Sequence, residues 1–272
     1  MFDGAGSGVR AQARTGSSPP TISLVIPTLN EGPNLPTVLR GIPEIVDEVI
    51  VVDGGSTDGT AEIARGLRPD ALVVVDRRPG KGRAMRTGFE HATGDIIVVI
   101  DADGSMDPAE IPAFIGALVA GCEVAKGSRF IQGGGTDDMN NLRRAGNWGL
   151  RLTARLAFGG RYSDLCYGYM AFWRRVLPVF DGTADGFEIE TFLNVRALAA
   201  GLHVTEVASF ERRRLHGESN LRTFRDGFRV LRTIVRERRH LARQRCARGV
   251  PRPAAGRPDV GVSATTELVT VD

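Results

Sequence analysis

Apolar, β-branched runs at residues 22–26, 49–52, 72–75 and 96–100 alternate with stretches of helical spacing at 33–40, 60–67, 83–91 and 108–120. The runs are apolar at every position rather than at every second one. A strand covered by helices on both faces reads that way. Strand, helix, strand, helix predicts right-handed crossovers and an α/β fold built on an open, mostly parallel sheet. Ligands of such sheets sit beyond the carboxyl ends of the strands. The chemistry is therefore expected just after each apolar run.

Polar residues gather at those places. Strand one is followed by Pro27-Thr28-Leu29-Asn30-Glu31, strand two by Asp53-Gly54-Gly55-Ser56-Thr57-Asp58-Gly59-Thr60, strand three by Arg77-Arg78-Pro79-Gly80-Lys81-Gly82 and strand four by Asp101-Ala102-Asp103-Gly104-Ser105. Asp101 and Asp103 leave a buried strand two residues apart. Carboxylates that close repel unless a cation lies between them. Mg²⁺ or Mn²⁺ takes such oxygen ligands and shares them with substrate phosphates. The competing reading makes the pair a solvated turn that caps the helix near Pro108. Asp53 is placed to accept from a nucleoside, and Asp58 or Thr57 to cap the next helix. Lys81, between two glycines, is placed to meet a phosphate. None of these loops has the spacing of a dinucleotide-binding or Walker glycine motif.

Composition adds limits. Apolar residues at 42% and charged residues at 25% exclude a wholly disordered or fibrous chain. No apolar run nears the roughly 18 residues that span a bilayer. Cys122, Cys166 and Cys246 are scattered and odd in number, which favours a reducing compartment over disulfides or a zinc site. Of 35 basic residues only Lys81 and Lys126 are lysines, and fourteen arginines against four acids fall within residues 211–252. That segment carries +10 of a chain total of +3, leaving −7 for the rest. Within it Leu221, Phe224, Phe228, Leu231 and Val235 form one helical stripe, and Arg222, Arg225, Arg229, Arg232, Arg236, Arg239 and Arg243 another. This is a basic amphipathic helix of the kind that lies on a membrane surface, or else one whose apolar stripe packs on the body. Residues 142–158 carry a second such pattern. Aromatics at 6% and the lack of a nucleic-acid motif argue against a nucleic-acid partner. The expected organisation is a disordered leader at 1–20, a catalytic domain at 21–210, a loop and basic helix at 211–246 and a disordered tail at 247–272.

Together the segments VIPTLNEGPNL, EVIVVDGGSTDGT, PGKGRAMRTGF and IIVVIDADGSMDP make the chain resemble the family 2 glycosyltransferases of the A-type nucleotide-sugar-binding fold. The resemblance runs from about residue 22 to residue 245. It implies a donor site of Pro27, Asn30, Glu31, Asp53, Lys81, Gly82, Asp101, Ala102 and Asp103, with Asp101 and Asp103 on Mg²⁺ or Mn²⁺. The second half, with Gly127-Ser128-Arg129-Phe130, SDLCYGYMAFWRRVL, GFEIE and RRRLHGESNL, is most similar to the polyprenyl-phosphate hexose synthases. That similarity implies a polyprenyl-phosphate acceptor held by Arg129, with Arg143 or Arg144, Arg213 and Ser219, under a mobile arginine-rich loop. Asn220 stands where those enzymes usually have lysine, and Gly104-Ser105 where the mannosyl ones often have Leu-Gln. Residues 187–190 are closer to the glucosyl ones.

The reaction so implied moves a hexose, with inversion, from a nucleotide-diphosphate sugar such as GDP-mannose or UDP-glucose to a polyprenyl phosphate. The enzyme would be cytoplasmic and peripheral on the inner membrane face. A soluble hydroxyl acceptor would also need a base. Glu188 is the preferred carboxylate of the Glu188/Glu190 pair, and Asp164 is a further candidate. The rival of another class is a sugar-phosphate nucleotidyltransferase, which should open on a glycine-rich segment in place of Pro27-Thr28-Leu29-Asn30-Glu31.

Overall fold

A computed structural model describes residues 18–160, 162–217, 223–247 and 261–262. Its strands are β1 (Ile22–Thr28), β2 (Glu48–Asp53), β3 (Leu72–Val75), β4 (Ile96–Val99), β5 (Val124–Ser128), β6 (Gly135–Thr136), β7 (Met170–Trp173), β8 (Val204–Ala208), β9 (Phe210–Glu211) and β10 (Gly261–Val262). Its α-helices are α1 (Leu35–Arg40), α2 (Thr60–Leu67), α3 (Lys81–His91), α4 (Ile111–Val119), α5 (Asn141–Phe158), α6 (Ile189–Ala200) and α7 (Thr223–Ala247). Eight strands form one sheet in the order β10-β8-β5-β7-β4-β1-β2-β3, and β6 pairs with β9 beside it. Every pair in the large sheet is parallel except those of β7, which runs antiparallel to β4 and β5.

The apolar runs become strands because both their faces are covered. Val25, Ile50, Val52, Ile97 and Val99 point to the side of α3, α5, α6 and α7. Leu24, Ile26, Val49, Val51 and Val98 point to the side of α1, α2 and α4. The exception is β3. It lies at the sheet edge, and Leu72 and Val75 are exposed there. The other edge takes β10, within the stretch expected to lack structure. Two residues complete pairs that β8 would otherwise leave open.

The predicted helix at 108–120 is a 3₁₀ turn over Pro108–Glu110 followed by α4. Asp107 caps it by accepting from the Ala109 N–H at 3.0 Å. The cap that competed for Asp101 and Asp103 is therefore supplied by another residue. Among the described residues no helix is long and apolar enough to cross a membrane.

Candidate active site

The carboxyl ends of β1, β2, β4 and β5 open into a cavity of about 790 Å³, enclosed on the far side by α5, the start of α7 and residues 213–217. Its floor includes Pro27, Glu31, Lys81, Asp101, Ala102 and Asp103. Its outer wall includes Met139, Arg143, Leu150, Arg213 and Val230.

The floor is organised as two cation-centred clusters. The Lys81 ammonium lies between Asp101, at 2.6 Å, and Glu190, at 2.6 Å. Burial alone would lower the Lys81 pKa, but Asp101 and Glu190 more than offset it and raise it. Burial also pushes the Glu190 carboxyl up, against the opposing pull of Lys81. In the second cluster Arg214 pairs with Glu31 and approaches Asp103 at 3.7 Å. The segment carrying Arg214 is tied down over the Asp103 loop. Arg212 N–H donates to the Ser105 carbonyl at 2.9 Å, and the Asn34 amide donates to the His216 carbonyl at 3.1 Å.

Asp101 and Asp103 both remain partly open to the cavity, and Asp103 accepts from the Ser105 N–H at 3.0 Å. Among the described residues no three histidine, cysteine or acidic side chains converge closely enough to hold a metal ion between them. Two carboxylates with open positions fit a hard cation that keeps substrate oxygens and water in its shell. They do not fit one enclosed by protein.

The predicted carboxylates Glu188 and Asp164 do not face the cavity as expected. Glu188 sits at the N-cap of α6 and turns back to accept from the Gly186 N–H at 3.2 Å. Glu190, its alternate, enters the cavity wall. Only the position at which the helix begins separates the two, and no sequence signal marks it. Asp164 is fully buried and accepts from Arg129 at 2.6 Å and from Asn147 at 3.1 Å. Burial would raise its pKa, but Arg129 overcomes this and holds it low. Such a carboxylate is no base for a ligand in the cavity.

Arg129 itself reaches the cavity edge, but with both ends of the guanidinium engaged. Besides Asp164 it donates to Glu211 at 2.9 Å, and its side chain is 6% exposed. Arg143 lines the cavity and pairs with Asp138 at 3.1 Å. Arg144 turns outward over the Phe130 ring. Arg213 lines the cavity and donates to the Asp137 carbonyl at 3.2 Å. Ser219 lies outside the described residues.

Three donor-site expectations resolve into supporting roles. Asn30, with φ 56°, accepts from the Thr57 N–H at 2.9 Å, and Asp53 accepts from the Ser56 N–H at 3.1 Å. Both fix the loops that form the cavity rim. Gly82 is glycine because a Cβ there would lie 2.0 Å from the Ala184 carbonyl oxygen. Its N–H is taken by the Asp185 carbonyl at 2.9 Å, so it is not a phosphate donor. The N-cap position of α2 is Gly59, and Asp58, just before it, accepts from the Thr60 N–H at 3.1 Å and from the Gly32 N–H at 2.9 Å, tying two loops together. Cys166 lines the cavity, but burial, then Asp164 and Glu190, push its thiol up to about 12. It is not a nucleophile at neutral pH.

The chain is similar to known proteins. The model of Glycosyl transferase family 2 matches residues 23–180. Glycosyltransferase AglJ of Haloferax volcanii is 32% identical over 215 residues, which are 77% of this chain and 69% of its own. The polyprenol monophosphomannose synthase of Mycolicibacterium smegmatis is 33% identical over 68% of this chain and 74% of its own. Among solved structures, glucosyl-3-phosphoglycerate synthase from Mycobacterium tuberculosis with Mn²⁺, uridine diphosphate and glucosyl-3-phosphoglycerate superimposes with a TM-score of 0.60. It is 26% identical and covers 86% of this chain and 82% of its own. The fold, the acidic strand end and these likenesses agree: the chain belongs to the family 2 glycosyltransferases.

Proposed function

We propose that the protein transfers a hexose from a nucleotide-diphosphate sugar, GDP-mannose or UDP-glucose, to a polyprenyl phosphate presented at a membrane surface. One observation carries this reading. A single cavity joins the Asp101/Asp103 end to the Arg143/Arg213 end, beneath two helices whose outer faces are apolar and basic.

Asp101 and Asp103 would hold a divalent cation. When bound, it neutralises the charge that develops on the leaving diphosphate. Lys81, which lies beside Asp101, and Arg214, which lies near Asp103, would supply positive charge to the phosphate oxygens. Arg143 and Arg213 would hold the acceptor phosphate, whose oxygen is already anionic at neutral pH and needs no base. That oxygen forms its bond to the anomeric carbon from the face opposite the leaving group. The bond to the diphosphate breaks with its electron pair, and the nucleoside diphosphate departs. The chain supplies positioning and fixed charge.

The outer faces support membrane contact. On α7 the stripe that packs on the body is Asp226, Val230, Thr233, Ile234 and Glu237. Three members of the expected apolar stripe point away: Phe228 is 68% exposed, and Leu231 and Val235 are exposed beside Arg225, Arg232 and Arg239. On α5, which packs against α7, Trp148, Leu152 and Leu156 are exposed. An arginine near anionic headgroups contributes about 1 kcal/mol.

A second reading, a soluble acceptor attacked through its hydroxyl, is supported by the glucosyl-3-phosphoglycerate bound in the solved relative. Glu190 would then be the carboxylate nearest to act as base. The test is a panel of GDP-mannose, UDP-glucose and UDP-N-acetylglucosamine with Mn²⁺ or Mg²⁺, assayed against polyprenyl phosphate and against phosphoglyceric acid. Label entering the lipid fraction is expected. Transfer to the soluble acceptor alone would overturn the lipid reading, and binding of no sugar nucleotide would overturn both.

A further inference from the structure

Glycine within a helix orders the chain at greater cost than alanine, so its presence calls for a local cause. At some helical positions the cause is contact. A Cβ on Gly88 of α3 would strike Val25 at 2.3 Å. Gly66 of α2, Gly116 of α4, Gly146 and Gly149 of α5 and Gly227 of α7 have no such cause, and of these only Gly146 and Gly227 line the cavity. A Cβ on either meets nothing within 4 Å, and neither has a positive φ. Both line the active-site cavity, from two helices that pack against each other.

The neighbours of these glycines along the cavity wall change from charged to apolar. On α5 the wall runs Arg143, Gly146, Asn147, Leu150, and on α7 it runs Asp226, Gly227, Val230. A phosphate ester with an apolar chain would find its head matched at Arg143 and its chain matched past the two glycines, between Leu150 and Val230. We infer that Gly146 and Gly227 keep open the passage for the acceptor's hydrocarbon chain and thereby select a long prenyl phosphate over a short one. The inference rests on the prenyl-phosphate reading above.

The experiment compares Gly146→Leu, Gly227→Leu, the alanine variants at both sites and Gly149→Leu. Gly149 lies in α5, is equally uncrowded and does not line the cavity. Each variant is assayed with a long polyprenyl phosphate and with dimethylallyl phosphate, and donor affinity is measured by calorimetry. The two cavity leucines should lower kcat/KM for the long acceptor by about tenfold or more, the scale on which an apolar pocket discriminates. Turnover of dimethylallyl phosphate and donor affinity should hold within about twofold, and Gly149→Leu should behave as wild type. The alanine variants should melt no lower than wild type and give a smaller shift in the same direction. Unchanged use of the long acceptor in the leucine variants overturns the inference, as does equal loss on both acceptors. If a leucine variant fails to fold, the alanine pair decides: no change in their ratio of long to short turnover overturns it. A wild-type enzyme inactive on both prenyl phosphates would instead overturn the acceptor reading.

Discussion

The Arg129 guanidinium shows how one residue's partners decide its role. It holds Asp164 at 2.6 Å and Glu211 at 2.9 Å, with almost no solvent contact. Removing it strands a fully buried carboxylate, a change that costs about 3–5 kcal/mol. Arg129→Ala should therefore lose that much stability in denaturant titration, whatever it does to turnover. Arg143 is half-buried at the cavity wall and pairs with a more exposed Asp138. Arg143→Ala should change stability by less than about 0.5 kcal/mol while raising the acceptor KM. Equal destabilisation by the two variants would contradict this division. Both arginines were legible in the sequence as acceptor candidates. Their difference was not, because it depends on Asp164 and Glu211, which lie far away in the chain and meet Arg129 only when β5 and β9 are in place. Glu190 escaped for a local reason: Glu188 is the N-cap of α6 and Glu190 lies in its first turn, and nothing in residues 186–190 marks where the helix begins.

Two elements carry predictions of their own. The turn between β3 and α3 is held by Asp76, which accepts from Arg78 at 2.7 Å and from the buried Thr87 hydroxyl at 2.6 Å. The Arg78 hydrogen bond, then that of Thr87, keeps its carboxyl far below the usual range. A depressed folded-state pKa adds stability above the unfolded value, near 3.8, and loses it as pH falls toward the folded one. Asp76→Asn should cost about 1–2 kcal/mol at neutral pH, and the gap to wild type should close as pH drops below 4. A gap independent of pH would remove Asp76 from the turn's support.

On α7, Ile234 is 1% exposed and Phe228 is 68% exposed. Ile234→Ala should cost about 2–4 kcal/mol. Phe228→Asp should leave the melting temperature alone and weaken flotation with anionic vesicles. The helix and both its stripes were readable from spacing, but the choice of buried stripe was not. The body takes the stripe containing Asp226 and Glu237 because Arg196 of α6 meets Glu237 at 2.7 Å, and only the packed helices show that partner.

For the whole molecule, the four expected strands, the helices between them and the sheet edge carrying the site follow from periodicity. The antiparallel β7 does not, since one reversed strand leaves the same apolar run as a parallel one. The charge arrangement at that edge has a consequence for binding. Asp101 and Asp103 each have a basic side chain nearby, Lys81 for Asp101 and Arg214 for Asp103. A divalent cation arriving alone must displace or crowd those cations, and a diphosphate arriving alone meets the carboxylates. On the proposed reading the two arriving together would find separate partners, the metal at Asp101 and Asp103 and the phosphates at Lys81 and Arg214. Mn²⁺ and a nucleoside diphosphate should therefore bind cooperatively, each tightening the other by about 5- to 150-fold, a coupling of about 1–3 kcal/mol, and equally in either order. Calorimetry of GDP or UDP with Mn²⁺ and with EDTA measures it. Asp103→Asn should shrink the coupling toward nothing while the folded state persists, because a neutral amide no longer draws the ion. Equal nucleotide affinity with and without metal in the wild-type protein would show that the paired aspartates serve some purpose other than holding a cation against the diphosphate.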